Sequence, residues 1–143
     1  MYTIRAVGAT ALAAVALMLG LPGVAHAMPA SSGDRAVTVT VKNHTNVRLT
    51  LSDSEATEGD WTTSPPNVIK GYKTYRFGTE STEYMGGTEA SATYSTRYGD
   101  VDFYWSDPWQ LDNEFTCTAP PQLTCDTDGD LRALSKVTFD IYY

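Results

Sequence analysis

Strict alternation of apolar and polar residues sets in at Val37 and recurs along the chain up to Tyr143. Val37, Val39 and Val41 fall on one side, and Thr38, Thr40 and Lys42 on the other. Successive side chains of a strand point to opposite faces, so this pattern predicts a half-buried β-strand. Residues 43–46 are a cluster of turn formers, and 48–53 alternates again with Leu49 and Leu51 inward. These two strands are predicted to form a hairpin. Residues 54–66 are predicted to be irregular, because Gly59 and the Pro65-Pro66 pair interrupt a regular ladder. Val68-Ile69 is a short apolar step into Gly71, and 74–78 is a predicted strand with Tyr75 and Phe77 inward. After a Gly86-Gly87 turn, 88–98 reads as a long strand that places Ala90, Ala92 and Tyr94 on one face. A turn at Tyr98-Gly99-Asp100 leads into 101–105, where Val101, Phe103 and Trp105 share a side; this is the clearest hairpin signal in the chain.

Residues 113–118 and 123–125 flank Ala119-Pro120-Pro121-Gln122 and are predicted to be a second hairpin, with Asp126–Asp130 as a turn. Leu131 to Ser135 has room for one helical turn. Val137, Phe139 and Ile141 alternate in a last strand. Many short alternating strands, with no window of helical period after the first residues, predict an all-β sandwich or barrel.

The first residues carry a different pattern. Arg5 precedes an apolar run over 6–21, Pro22-Gly23 breaks it, and Ala25-His26-Ala27 is a small-x-small cleavage signature. The expectation is a secretory signal peptide over 1–27, a flexible lead-in over 28–34, and one folded domain over 35–143. The run is shorter than the ~18–20 apolar residues that a membrane anchor needs. Cleavage leaves 116 of the 143 residues and moves the formal charge from −7 to −8, because Arg5 is removed with no acid. Such a chain is repelled by phosphate backbones, so nucleic acid is not an expected partner. Anionic lipid repels it too; contact with a membrane would have to use neutral or zwitterionic head groups. In an exported chain Cys117 and Cys125 are expected to form a disulfide, predicted to staple the two arms of the second hairpin.

Catalytic constellations are scarce. A nucleophile–histidine site needs a base, and the mature chain offers only His44, in a turn. Glu80, Glu83, Glu89, Asp100 and Asp102 are read as solvated strand and turn residues, although a glycosidase would need two carboxylates facing across a cleft. Asp126-Thr127-Asp128-Gly129-Asp130 resembles the start of a calcium loop, but the glycine precedes the third acid and Val137 stands where the bidentate Glu belongs. No metal or other cofactor is expected. What remains is an aromatic set, Trp61, Tyr104, Trp105 and Trp109, interleaved with acids; Trp and Tyr combine large apolar area with one polar handle and suit interfaces. Trp105 keeps the inward parity of Phe103, so a core position competes with a surface one there.

One family matches this order of motifs. Asn43-His44-Thr45-Asn46, Gly59-Asp60-Trp61, Pro65-Pro66, Ile69, Gly78-Thr79-Glu80-Ser81, Gly87-Thr88-Glu89, Tyr94 and the segment from Phe103 to Trp109 resemble the aegerolysin family, in particular its bacterial branch with small crystal-associated proteins. The resemblance implies a single-domain antiparallel β-sandwich related to actinoporin-like folds. It also implies a secreted, non-enzymatic protein that binds membrane lipid, sphingolipid among others, and that in several members forms pores only with a larger partner protein. By the same resemblance Trp61, Glu80, Glu89, Trp105, Asp107, Pro108 and Trp109 would shape a head-group site; Tyr104, by its outward parity, is grouped with Trp109, and the aromatic rings are expected at one end of the sandwich. Gln110 to Phe115 departs from the Gly-Ser-Asn-like stretch usual in relatives. The alternative function is a secreted protein- or glycan-binding module without membrane activity; a hydrolase with a carboxylate pair is a second rival.

Overall fold

In the computed structural model residues 35–143 are described; the expected signal peptide and lead-in, 1–27 and 28–34, lie outside the described residues. Ten strands follow one another without an intervening helix: β1 (Ala36–Asn43), β2 (Leu49–Glu58), β3 (Asp60–Thr63), β4 (Val68–Ile69), β5 (Thr74–Glu80), β6 (Thr88–Thr96), β7 (Gly99–Asp107), β8 (Glu114–Thr118), β9 (Thr124–Gly129) and β10 (Leu134–Tyr142). They form two five-stranded sheets, in the orders β3-β5-β1-β10-β9 and β4-β2-β6-β7-β8.

The alternating residues fill the space between the sheets. Val37, Val39 and Val41 of β1, Phe77 of β5, and Val137, Phe139 and Ile141 of β10 come from the first sheet. Leu49, Ala90, Ala92, Tyr94, Val101, Phe103 and Trp105 come from the second. Phe103 stacks on Phe139 across the two sheets, with ring centroids 5.0 Å apart. Burying a side chain of this size contributes about 1.5–3 kcal/mol, which makes this layer the main source of stability.

Pairing is antiparallel except between β1 and β10, which run parallel from Ala36↔Leu134 to Asn43↔Ile141. A parallel pair needs a long crossover. Here everything between β1 and β10 supplies it, so the local turns that predict antiparallel neighbours gave no sign of this contact.

Several local expectations are corrected. β1 and β2 do not form a hairpin: they belong to different sheets, and the 44–48 segment crosses between them. The segment 54–66 is mostly strand. Register shifts between Leu51 and Asp53, and between Ala56 and Glu58, break the period-two pattern of β2 and hide it from sequence reading. Gly59, at φ 81°, then carries the chain to β3 in the other sheet; a Cβ there would lie 2.2 Å from the Glu80 carbonyl. Finally, the Cys117–Cys125 disulfide forms as expected but does not staple a hairpin. It joins β8, at the edge of one sheet, to β9, at the edge of the other. Asp126–Asp130 is accordingly strand through Gly129 rather than a turn, and 134–135 opens β10 rather than a helical turn. The β6–β7 hairpin is as expected, its register running from Thr88↔Asp107 to Thr96↔Gly99.

Candidate functional site

One end of the sandwich collects the loops that carry most of the unusual chemistry. The starts of β1 and β10 and the end of β5 are neighbours in the first sheet. The end of β7 and the starts of β6 and β8 are neighbours in the second. The 81–87, 108–113 and 130–133 loops and the Gly59 turn therefore share this pole.

A buried ion pair closes the pole between the sheets. Arg35 Nη1 lies 2.9 Å from Oδ1 of Asp107, whose side chain has no exposed surface. Ser135 Oγ donates to Oδ2 of Asp107 at 3.2 Å, and Arg35 Nη2 donates to the Trp109 carbonyl at 2.8 Å. The same guanidinium sits 5.5 Å from the Trp109 ring centroid, within range of a cation–π contact. Removal from water pushes the Asp107 carboxyl above the usual range, the opposing pull of Arg35 and Ser135 being smaller. Two further contacts knit the loops together. Asn113 Nδ2 donates to the Arg132 carbonyl at 3.0 Å, and Gly87 packs so closely that a Cβ there would lie 2.8 Å from Pro108 Cα.

The sequence-predicted residues do not share one exposed surface. Trp105 is fully buried, and its Nε1 donates to Thr79 Oγ1 at 2.9 Å. Asp107 is fully buried as described. The head-group contacts expected of these two therefore have no surface to act through: the inward parity of β7 at Trp105, and the Arg35 pair at Asp107, turn them into the fold. Trp61 is half-buried on the inner side of β3, its ring edge-on to Trp105 with centroids 5.8 Å apart. Tyr104 lies on the opposite parity of β7, on the outer face of the second sheet; partial desolvation and the nearby Glu89 raise its phenol pKa. Glu89, on that face, accepts from Thr57 Oγ1 at 3.0 Å. Glu80 pairs with Ala36 at the pole end of β5, and Trp109 is half-buried against Arg35. The rings do lie toward this end of the sandwich, but they are divided between core, outer face and pole rather than standing together in solvent.

Sequence reading missed what the pole does expose. Tyr84 (87%), Leu111 (76%), Leu131 (69%), Leu134 (65%) and Met85 (46%) stand out into solvent there. Tyr84-Met85 is an isolated apolar pair and the three leucines are single apolar residues, in polar loops or at a strand start; none has a period, so periodicity had no means to mark them. Beside Tyr84 and Met85 is a depression of about 210 Å³, lined by Thr57, Glu58, Gly59, Ser81, Glu83 and Gly87 among others. The Gly87 N–H donates to Glu58 Oε1 at 2.8 Å and holds that carboxylate at the rim. Its lining contains two carboxylates and no cation. An apolar rim beside a small acidic hollow can accept a cationic group joined to something greasy.

No cluster of His, Cys, Asp and Glu suited to a metal ion occurs among the described residues. No family model matches the sequence, and no curated protein matches it. Among solved structures, this chain is similar to the crystal structure of the lipid binding protein Nakanori, with a TM-score of 0.64 at 16% sequence identity; the match covers 76% of this chain and 71% of that one, and at that identity it is a likeness of fold.

Proposed function

We propose that this chain is a secreted, non-enzymatic, aegerolysin-like protein that docks on membrane lipid through the loop pole. The observation that carries the reading is the convergence of Tyr84, Met85, Leu111, Leu131 and Leu134 on one end of the sandwich. Full burial of a Leu or Met side chain is worth about 1.5–3 kcal/mol, so partial insertion of several contributes several kcal/mol toward docking. The hollow lined by Glu58 and Glu83 would receive the choline or ethanolamine of a zwitterionic head group, such as that of a sphingolipid. The net charge of −7 or −8 disfavours anionic membranes and restricts the choice to such lipids. The similarity in fold to a lipid binding protein supports the reading. Action as one component of a two-component pore, with a larger partner protein, extends it.

Sedimentation with vesicles of phosphatidylcholine, of phosphatidylethanolamine and of sphingomyelin with cholesterol tests the proposal. Co-sedimentation with at least one zwitterionic mixture, and none with phosphatidylserine-rich vesicles, is expected. Absence from every lipid pellet, coupled with saturable binding on a glycan array, would instead establish the glycan-binding alternative.

A further inference from the structure

The outer face of the first sheet, on the side of the sandwich rather than at its tip, carries a cluster of cations. We propose that it binds a phosphate monoester. A groove of about 440 Å³ lies over β5, β1 and β10, lined by Thr38, Thr40, Lys42, Arg76, Lys136 and Thr138. The register explains the shape. Thr40 is flanked by Arg76 on β5 and Thr138 on β10, and Thr38 by Lys136. All lie on the outward parity of their strands, opposite the buried Val39, Phe77 and Val137. Short threonines thus form the floor, and long cationic side chains form the walls. Adjacent strands are ~4.8 Å apart and next-but-one residues ~6.7 Å, so the Arg76 and Lys136 backbones stand roughly 12 Å apart, a gap that two long side chains can close around one anion.

Charge points the same way. The chain carries 17 acids against 10 Lys and Arg, yet none lines this groove; the acids nearest it are Asp140, shared with Lys42, and Asp128, beside Thr138 on β9. Arg76 and Lys136 enter no ion pair among the described residues, while Lys42 is shared with Asp140 at 3.9 Å. The two uncommitted cations match a phosphate monoester, which carries about −1.5 to −2 at pH 7, better than a carboxylate or sulfate monoester with a single charge. The guanidinium can bind two phosphate oxygens as a fork, Lys136 supplies a point charge, and the threonine hydroxyls donate to the remaining oxygens.

The test is an amide-resolved NMR titration of the secreted chain at constant ionic strength, with inorganic phosphate, glucose 6-phosphate, glucose 6-sulfate, glucose and chloride. Saturable shifts centred on Thr40, Arg76 and Thr138 are expected with glucose 6-phosphate at about millimolar concentration or below, weaker ones with the sulfate, and none with glucose. Equal responses to inorganic phosphate and glucose 6-phosphate support recognition of the phosphate group alone; a stronger response to the ester supports recognition of its carrier as well. The double substitution Arg76→Gln with Lys136→Gln should weaken binding about tenfold or more without altering the rest of the spectrum. Shifts that do not saturate, that chloride reproduces, or that persist undiminished in the double variant overturn the proposal.

Discussion

Arg35 and Asp107 meet at 2.9 Å across the gap between the two sheets, and the same guanidinium holds the Trp109 carbonyl at 2.8 Å. One ion pair thereby ties the start of β1 to the end of β7 and sets the base of the loop pole.

The pair's electrostatics give an asymmetric prediction. Desolvation raises the Asp107 carboxyl above its ordinary value of 3.8, despite Arg35. The folded state then binds this proton more tightly than the unfolded state does. The contribution of Asp107 to stability is therefore full below pH 3.8 and is lost as pH rises through the raised value. Asp107→Asn, which keeps an acceptor and carries no charge, should change stability by less than about 1 kcal/mol at neutral pH and gain on the wild type as pH rises through that window. Asp107→Ala strands Arg35 and Ser135 and should cost about 2–4 kcal/mol. Urea melts from pH 3 to 7 check both.

Trp105 has a structural assignment that differs from its expected head-group role. Trp105→Phe removes the bond to Thr79 Oγ1 and leaves a void between the sheets. Stability should fall by about 1–3 kcal/mol, while vesicle binding by the folded protein stays unchanged. A large loss of vesicle binding at unchanged melting temperature would reinstate the ring as a contact residue.

The disulfide welds two open sheet edges rather than two arms of a hairpin. Replacing Cys117 and Cys125 with serine should lower stability by about 2–3 kcal/mol, as expected for a loop of this length. Hydrogen exchange should rise first in β8 and β9, the strands it joins. Uniform destabilisation, with no local change there, would show that the edges do not depend on it.

Gly87 lets the 81–87 loop lie on the chain at Pro108. A Cβ there would meet Pro108 Cα at 2.8 Å and the Asp107 carbonyl at 3.0 Å, both backbone atoms. Gly87→Ala should therefore displace the loop that carries Tyr84 and Met85, and weaken vesicle binding more than it lowers the melting temperature.

Much of this fold can be read from the residues alone. Val37-Val39-Val41, Ala90-Ala92-Tyr94, Val101-Phe103-Trp105 and Val137-Phe139-Ile141 announce their strands and inward faces, since period two is a local property. Sheet membership is not local. The parallel β1–β10 pair, the jump at Gly59 and the partners of Cys117 and Cys125 depend on contacts far apart in the chain, and the bulges of β2 hide its alternation. The candidate site was harder still to anticipate. Indole rings drew attention as interfacial residues, yet Trp105 and much of Trp61 serve the core, whereas solitary Leu111, Leu131 and Leu134 in polar surroundings carry the exposed apolar surface.

The central claim is that these loop side chains enter the lipid. Leu111 and Leu134 are widely exposed, so Leu111→Asp with Leu134→Asp should fold with little change in melting temperature. The decisive measurement is flotation of the wild type and this double variant with sphingomyelin–cholesterol and phosphatidylcholine vesicles. The wild type should rise with the lipid and the double variant should stay with the soluble fraction; equal flotation of the two proteins would contradict docking through this pole.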